Sequence, residues 1–520
     1  MLSLDFHLLD LATNNLFSDD VRATLHRQRK SALDDLALLD AELALAQLSL
    51  QDNNILSEHS KRQTRRKLVS LIAACDIAIA PHKSLPTELL SYIFILAYSC
   101  FPTDLPPPSR TSTPLVLCQT CSRWRTVALD TPDLWADVVF RYEKGLDPRR
   151  TVLLAKMFFA RCGSLKPLSL QISRWSGPDF PDDHQTIMEN ILRSLVIPYA
   201  SRFWRLHLRL SESTIYTFLS IAPQLSFPCL KSIHLECDNS SSTRGPSLRK
   251  LFPANSPLLT KLGLSNFRYQ LQVDDAFFPW KQLTHLYCHD TPISIPKIHA
   301  LLRLCRSLVE CLLSVDTRND PSDFDISKAR IRLISLQKLS LIFTTQGPLL
   351  GSFLEPLYTP NIKELTISNS IRTQRPHPQD ELLALLTRAC HTLEVLQIDN
   401  IPLPPHTVAE IAHALPTLTA LLIGADNLVP RDVLGAIAAG AVLPRLRCLA
   451  CSVDDLEAAI RALEYRWQAG VDRLAPGELY SPPFNFILDY TGQVINHDQA
   501  VRVDRLRANG VDITMTRVQP

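Results

Sequence analysis

A short apolar pattern recurs ten times along the chain and constrains the fold more than any other feature. It has the form L-x-x-L-x-L, as in residues 230–235 and 336–341. The copies begin at residues 203, 230, 259, 283, 308, 336, 362, 393, 418 and 446, which lie 24 to 31 residues apart. The last two apolar residues are two positions apart, so their side chains fall on the same face of a β-strand. The pattern therefore predicts ten strands that each present an apolar row to a shared core.

Stretches with helical spacing separate these strand motifs, among them residues 296–304, 379–389 and 405–414. Strand–helix units of roughly 20 to 29 residues are typical of leucine-rich repeats, in which each unit buries its apolar face only against its neighbours. The fold class we expect is α/β, a solenoid with a curved parallel sheet and outer helices. A capping strand at 165–172 and a final helix, turn and strand at 500–516 would close its two ends.

Alternate residues of the predicted strands would face solvent on the concave side of the sheet. We interpret these positions as the candidate contact surface for a target protein, although each residue alone has the character of any solvated strand residue. The candidates are His207, Arg209, His234, Glu236, His285, Thr366, Gln397 and Asp399.

Before the repeats, residues 21–76 carry leucines at mostly helical intervals, and residues 52–54 form a plausible break. A helical hairpin or a coiled coil fits this pattern. The helix could pack against its own chain or pair with a second copy, and the drifting heptads favour its own chain. The basic cluster at 61–67 is interpreted as a solvated helix face because the chain as a whole is nearly neutral.

Three motifs then follow in order: L-P-x-E-L-L-x-x-I-F from Leu85, C-S-R-W-R-T-V-A-L from Cys121 and T-P-x-L-W from Thr131. Together they resemble the F-box-like domain of fungal protein families, over about residues 83–139. The resemblance implies a three-helix module that docks on the Skp-type adaptor of cullin–RING ubiquitin ligases. The residues it assigns to adaptor contact are Leu85, Pro86, Leu89, Leu90, Ile93 and Phe94, and those that pack the module or border the interface are Cys121, Trp124, Leu134 and Trp135.

The segment between the first two helices departs from that family. Typical F-boxes have a short acidic-leucine turn there, whereas residues 102–114 are longer and rich in proline, serine and threonine. This composition predicts a loop. A second, continuous helix is expected through residues 115–127, with a turn at 131–135 leading into a third short element.

Composition argues against several functional classes. The chain has 54 Lys+Arg against 52 Asp+Glu, so no basic excess points to nucleic acid. It contains only 14 glycines and none of the glycine-rich phosphate loops, H-E-x-x-H or G-x-S-x-G motifs. Cys118 and Cys121 form a C-x-x-C pair without the two further ligands that a structural zinc site needs. We therefore expect no catalysis, no cofactor and no metal site.

No stretch of about 20 apolar residues predicts a membrane span. The first 20 residues include acidic side chains and no uninterrupted apolar core, so a secretory signal is not expected. The 13 cysteines are scattered and are interpreted as free thiols of a reducing compartment. These features favour a soluble protein of the cytoplasm or nucleus.

The sequence thus predicts four segments: N-terminal helices at 1–80, an F-box-like module at 81–142, a repeat solenoid at 143–464 and a C-terminal cap at 465–520. The favoured function is a substrate-recognition adaptor of an SCF-type ubiquitin ligase, with a Skp-type adaptor and a target protein as partners. A ligase-independent repeat scaffold or a ligand-sensing protein is the alternative.

Overall fold

The computed structural model divides into two compact units, Met1–Leu170 and Gln171–Pro520. None of the described helices is both long enough and apolar enough to cross a membrane. The residues that the structure describes are 18–48, 55–79, 85–100, 104–105, 112–142, 147–174, 184–238, 256–266, 279–316, 330–344, 353–370, 379–424, 427–471, 485–490 and 495–517.

The first unit begins with two packed helices, α1 (Asp19–Leu48) and α2 (Ile55–Ala78). Leu25, Cys75 and Ala78 form a small buried cluster between them. The predicted hairpin is therefore present. The basic cluster of α2 pairs with acidic residues of α1: Lys61 Nζ lies 2.9 Å from Glu42 and Arg65 Nε lies 2.7 Å from Asp40. Pairing of this hairpin with a second chain stays a prediction.

The motifs at 85–135 form short helices around one aromatic core. The Phe94 and Trp124 rings lie 5.0 Å apart, and Trp135 Nε1 donates to the Ala128 carbonyl at 2.8 Å. The Trp135 ring meets Phe158 edge-on at 4.8 Å. The elements are α3 (Thr87–Cys100), β1 (Asp104–Leu105), α4 (Thr113–Thr120), α5 (Ser122–Leu129), a 3₁₀ turn at Pro132–Leu134, β2 (Asp137–Tyr142) and α6 (Pro148–Arg161).

Two expectations for this region are wrong. The second helix is not continuous: Cys121 is extended (φ −164°, ψ 168°), and its Sγ accepts from the Trp124 N–H, so it ends α4 and caps α5. The segment 102–114 is not all loop either. Asp104 and Leu105 pair in parallel with β2, and Leu105 is fully buried, because this apolar residue finds a partner strand that sequence spacing does not reveal.

The second unit contains a parallel sheet in which strands that follow one another in the chain are neighbours. All ten strands predicted by the repeat motif are present. The short β9 (Ile331–Arg332) and β11 (Leu357–Tyr358) pair separately with each other. The main-sheet strands are β4 (Phe203–Ser211), β5 (Ser232–Asp238), β6 (Lys261–Ser265), β7 (His285–Ser294), β8 (Glu310–Asp316), β10 (Lys338–Phe343), β12 (Glu364–Asn369), β13 (Val395–Asp399), β14 (Ala420–Ile423), β15 (Cys448–Val453), β16 (Asn485–Tyr490) and β17 (Asp512–Arg517).

Helices connect many of these strands, and the three predicted at 296–304, 379–389 and 405–414 are confirmed. The expected capping strand appears as β3 (Leu168–Arg174). The expected final helix and strand appear as α14 (His497–Ala508) and β17, whereas β16 has no L-x-x-L-x-L motif and lies outside the predicted strands. The helices are α7 (His184–Leu195), α8 (Glu212–Ile221), α9 (Ile295–Leu304), α10 (Gln379–Ala389), α11 (Pro405–Ala414), α12 (Arg431–Ala438), α13 (Leu456–Val471) and α14 (His497–Ala508).

Inward residues of neighbouring strands face each other in register. Leu339 pairs with Leu365, Leu365 with Leu396 and Leu396 with Leu421. These leucines are at most 1% exposed, whereas the residue that follows each of them in its strand is half-buried. Burial of one such side chain stabilises the fold by roughly 1.5–3 kcal/mol. We call the side of the sheet that carries the half-buried residues the strand face.

Buried asparagine contributes to this core, although the residue usual after the strand of such repeats is mostly missing from the sequence. Asn266 and Asn400, which come closest to that position, adopt the left-handed region (φ 59° and 54°). A third asparagine, Asn427, is fully buried. Its Oδ1 accepts from the Leu403 N–H at 2.6 Å and its Nδ2 donates to the Ile401 carbonyl at 2.7 Å. It satisfies two backbone groups of the neighbouring turn.

We expect Asn427→Ala to lower the free energy of unfolding by roughly 2–4 kcal/mol, because it leaves two buried backbone groups without partners. Urea denaturation followed by circular dichroism measures the change. Asn361→Ala is the matched control, since Asn361 is exposed and its side chain makes one hydrogen bond to the described residues, to the Ile334 carbonyl. Equal, small losses in both variants would contradict the assigned role of Asn427.

Candidate binding surfaces

Helix α3 has an exposed apolar stripe. Leu89, Tyr92, Ile93 and Leu96 are 51%, 58%, 45% and 49% exposed. Their spacing of three, four and seven residues places them on one side of the helix. The opposite side buries Leu90, Phe94 and Tyr98 in the core of the module. The helix is therefore apolar on two faces, and within the described part of the chain one of them stays about half exposed.

Hydrogen bonds fix the orientation of this helix. Ser91 Oγ and Thr131 Oγ1 lie 2.8 Å apart, and the Tyr98 hydroxyl donates to the Asp137 carbonyl at 2.5 Å. Arg123 donates to the Leu85 carbonyl just before the helix begins. These bonds tie α3 at three points to the segments around α5 and β2, so the exposed stripe is held in a defined direction.

The structure separates the residues that the F-box resemblance assigns to adaptor contact. Pro86, Leu89 and Ile93 are exposed and Leu85 is half-buried. Leu90 and Phe94 are each 1% exposed. Of the bordering residues, Cys121 and Trp124 are half-buried, whereas Leu134 and Trp135 are fully buried. Tyr92 and Leu96 are not among the predicted contact residues, although their helical spacing from Leu89 places them on the same side of the helix.

The strand-face candidates form two groups. On β4, β5 and β7, His207 lies opposite His234 and Arg209 opposite Glu236, with His285 further along the sheet. On β12 and β13, Thr366 lies opposite Gln397, and Gln397 Nε2 donates to Asp399 at 2.6 Å. All eight side chains are half-buried.

Between the two groups, Lys338 forms ion pairs with the neighbouring strands on both sides, although it is not among the predicted contact residues. Lys338 Nζ lies 3.0 Å from Glu364 and 3.9 Å from Glu310. Glu310 in turn lies 3.9 Å from His285 Nε2. The alternation of positive and negative charges across strands follows from the register, which places these side chains opposite each other.

The first group is a compact cluster of histidine and carboxylate. The rings of His207 and His234 lie 4.5 Å apart. Glu236 has one oxygen 3.4 Å from Arg209 Nε and the other 3.7 Å from His207 Nε2. A distance of 3.7 Å is longer than a hydrogen bond, so the His207 interaction is an electrostatic contact. His234 Nε2 lies 3.0 Å from Ser265 Oγ on β6.

The environment shifts the protonation of this cluster. Burial, followed by the nearby His207, lowers the pKa of His234 from its usual 6.5 to about 4, against the opposing effect of Glu236. The interaction with His207 and the charge of Arg209 lower the pKa of Glu236, against the effect of burial. At neutral pH the cluster therefore contains a neutral His234 and an ionised Glu236.

Gly263 makes room for the His234 ring. The two residues are partners in the register of β5 and β6. A Cβ at position 263 would lie 2.1 Å from His234 Nδ1 and 2.7 Å from Cγ. No side chain fits there unless the ring moves, so this glycine is needed for close approach of a neighbouring side chain.

A groove of about 780 Å³ is lined by residues that precede the strands β8, β10, β12, β13, β14 and β15. Its lining is mostly polar. The lining residues are Val309, Ile334, Ser335, Gln337, Asn361, Lys363, His391, Thr392, Glu394, Thr417, Thr419 and Arg445.

The cysteines form no disulfide among the described residues, and all twelve described thiols are free. Cys118 lies in α4 and Cys121 between α4 and α5, so the C-x-x-C pair spans a helix break. Within the described part of the chain, His207, His234 and Glu236 are the one group of three with ligand atoms close enough to share a metal ion.

Sequential parallel strands, inward leucines and connecting helices define an α/β repeat protein of the leucine-rich-repeat type, with helices before the repeats. No protein-family profile matches the chain, and no curated protein matches it by sequence. One similar solved structure is the yeast complex of Rad7 and Elc1, with a TM-score of 0.39 and 13% identity over 84% of this chain and 98% of the matched chain. The repeat assignment rests on the strand order of this chain itself.

We expect Gly263→Ala to lower the free energy of unfolding by roughly 1–3 kcal/mol, because the added Cβ displaces the His234 ring. In a His234→Ala background the same substitution should cost little, since the ring is absent. A double-mutant cycle by urea denaturation gives this coupling. A control cycle combines Gly263→Ala with His285→Ala, and we expect no coupling between these two substitutions. A Gly263→Ala cost that is the same in all backgrounds would contradict the packing argument.

The depressed pKa of His234 predicts a pH-dependent stability. Between pH 6.5 and about 4 the unfolded chain binds a proton at this residue that the folded protein does not. The free energy of unfolding should therefore fall as pH falls through this window, by roughly 3 kcal/mol at most. His234→Gln should remove this part of the slope and leave a constant difference at pH 7–8. Both proteins are measured in metal-free buffer. If their free energies of unfolding change in parallel down to pH 4, the lowered pKa of His234 is excluded.

Proposed function

We propose that this protein is a non-catalytic substrate-recognition adaptor of an SCF-type cullin–RING ubiquitin ligase. The outer face of α3 docks on the Skp-type adaptor, and the strand face binds the target protein. The observation that carries this proposal is the exposed stripe of Leu89, Tyr92, Ile93 and Leu96, because it lies on the helix that bears the F-box-like motif.

A partner for this stripe has a physical reason. Four large apolar side chains in one row are an exposed patch of the kind that marks interaction sites in folded proteins. A helix with such a row binds through side chains spaced three, four and seven residues apart in a complementary groove. Leu90 and Phe94 take no direct part in this docking. They hold the helix in place through the core, and Tyr92 and Leu96 replace them as contact residues.

The strand face supports the second half of the proposal. It presents histidine, arginine, glutamate and lysine side chains on rigid neighbouring strands, with their register fixed by backbone pairing. Rigid placement lowers the entropic cost of binding, and a few of these residues would supply most of the affinity. Transfer of ubiquitin belongs to other subunits of the ligase.

The alternative of a ligand-sensing protein needs a deep apolar pocket. Among the described residues the groove of about 780 Å³ is lined mainly by polar side chains, which does not favour that reading. A ligase-independent scaffold would use the strand face alone and leave the α3 stripe without a function, so adaptor binding discriminates between the two proposals.

We expect the purified protein to bind the Skp-type adaptor with micromolar affinity or tighter, and Leu89→Asp/Ile93→Asp to weaken binding at least about 30-fold, equivalent to about 2 kcal/mol. Isothermal titration calorimetry measures the affinity. The matched control is Leu153→Asp/Met157→Asp on α6, two apolar residues four positions apart that are 61% and 51% exposed.

Circular dichroism confirms that both double variants fold. The control pair should retain adaptor binding, because it introduces the same charges on an exposed helix of the same unit. A folded wild-type protein that does not bind the adaptor would overturn the ligase proposal and favour the scaffold. Equal losses in both double variants would show that the α3 stripe is not the docking site.

A further inference from the structure

The strand face contains a buried nitrogen without a hydrogen-bond partner. Among the described residues, His207 Nε2 is inaccessible to solvent and makes no hydrogen bond. Its carboxylate neighbour, an oxygen of Glu236, is 3.7 Å away. Buried polar atoms in folded proteins are nearly always paired, so this nitrogen calls for a partner that the described part of the chain does not provide.

The separation of these two atoms suits a shared metal ion. Nitrogen and oxygen ligands bind Zn²⁺ at about 2.0–2.2 Å, which puts two ligands of a tetrahedral ion about 3.4 Å apart. The observed 3.7 Å is too long for a hydrogen bond and close to this ligand separation. An ion between His207 Nε2 and Glu236 would give both atoms a partner without moving either strand.

His234 supplies a third ligand. One ligand atom each of His207, His234 and Glu236 lies within 4.8 Å of the others. Ligands of a tetrahedral ion are about 3.4 Å apart, so a side chain must move inward by up to about 1.4 Å for all three to bind. The His234 ring can do so by leaving Ser265, to which it makes a single hydrogen bond of 3.0 Å.

We propose that His207, His234 and Glu236 form a binding site for a divalent transition-metal ion of the Zn²⁺ class on strands β4 and β5. A set of two imidazoles and a carboxylate binds zinc, nickel or copper in preference to magnesium or calcium. Arg209 occupies one oxygen of Glu236 at 3.4 Å, so the carboxylate binds the ion through the other oxygen. Three protein ligands leave a coordination position open to solvent.

The protonation states suit this role. A metal ligand must be a neutral imidazole or an ionised carboxylate at the working pH. The lowered pKa values of His234 and Glu236 keep both in these forms at neutral pH, so neither must lose a proton to the ion. The proposed site itself rests on the distances between the ligand atoms of the three side chains.

A second histidine–carboxylate pair on the strand face is a natural control. His285 Nε2 lies 3.9 Å from Glu310, and Lys338 Nζ lies 3.9 Å from the other oxygen of that carboxylate. The residue that faces Glu310 from the next strand is thus a lysine and not another imidazole. The pair offers two ligands at most and should not hold an ion tightly.

The test is a Zn²⁺ titration of the full chain, prepared without a histidine tag. The protein is first stripped of metal with a chelator, and its accessible cysteines are alkylated to remove competing thiolates. Calorimetry should show one bound ion per chain, with a rise in melting temperature. His207→Gln, His234→Gln and Glu236→Gln should each weaken binding at least tenfold, whereas His285→Gln should not. Co²⁺ substitution gives a second readout, visible absorption bands that the three variants lose.

Circular dichroism at each titration endpoint confirms that the variants fold. A wild-type chain that binds no Zn²⁺ under these conditions would overturn the proposal. Binding that survives in all three variants would also overturn it, because the ion would then lie elsewhere. Adaptor binding through α3 is measured in a separate assay, so failure of the metal site does not affect the proposed ligase function.

Discussion

The register of the inward leucines is the constraint on which the rest of the structure depends. Leu339, Leu365, Leu396 and Leu421 lie side by side on consecutive strands and share one core. A slip of one residue would turn each apolar row outward, so the pairing is strongly specified. The same register sets every juxtaposition on the strand face. His207 lies opposite His234, and Arg209 opposite Glu236, because the apolar residues on either side of them are paired.

Helix α3 illustrates the opposite situation, in which a short element has more apolar surface than its own module covers. Phe94 and Tyr98 already fill the core, with Phe94 5.0 Å from Trp124. Leu89 and Ile93 are still 51% and 45% exposed, so the fold covers only about half of each side chain, and an exposed apolar row of this kind is typical of an interaction site. Packing in the core explains one face of this helix, and a partner is proposed for the other, so substitutions on the two faces are expected to have different effects.

Much of the fold could be predicted from the sequence because it repeats. The ten strands and three of the helices follow from spacing alone, and the resemblance at 85–135 located the helical module. Features that depend on contacts across the fold could not be predicted. The pairing of Leu105 with β2 and the burial of Asn427 involve partners distant in sequence, and the break at Cys121 depends on a cap by its own thiol that the apolar spacing does not show. The approach of His234 to Gly263 likewise requires the register between two strands.

The alternation of inward and outward residues has a consequence for how such a protein can diverge. In β12, Leu365 is fully buried whereas Thr366 beside it is half-exposed. A substitution at the first position disturbs the core shared with the strands on both sides, but one at the second alters only the surface. Selection can therefore act on the two rows independently. A lineage of these chains could exchange one outward residue after another, and so acquire new targets, while the scaffold beneath stays the same.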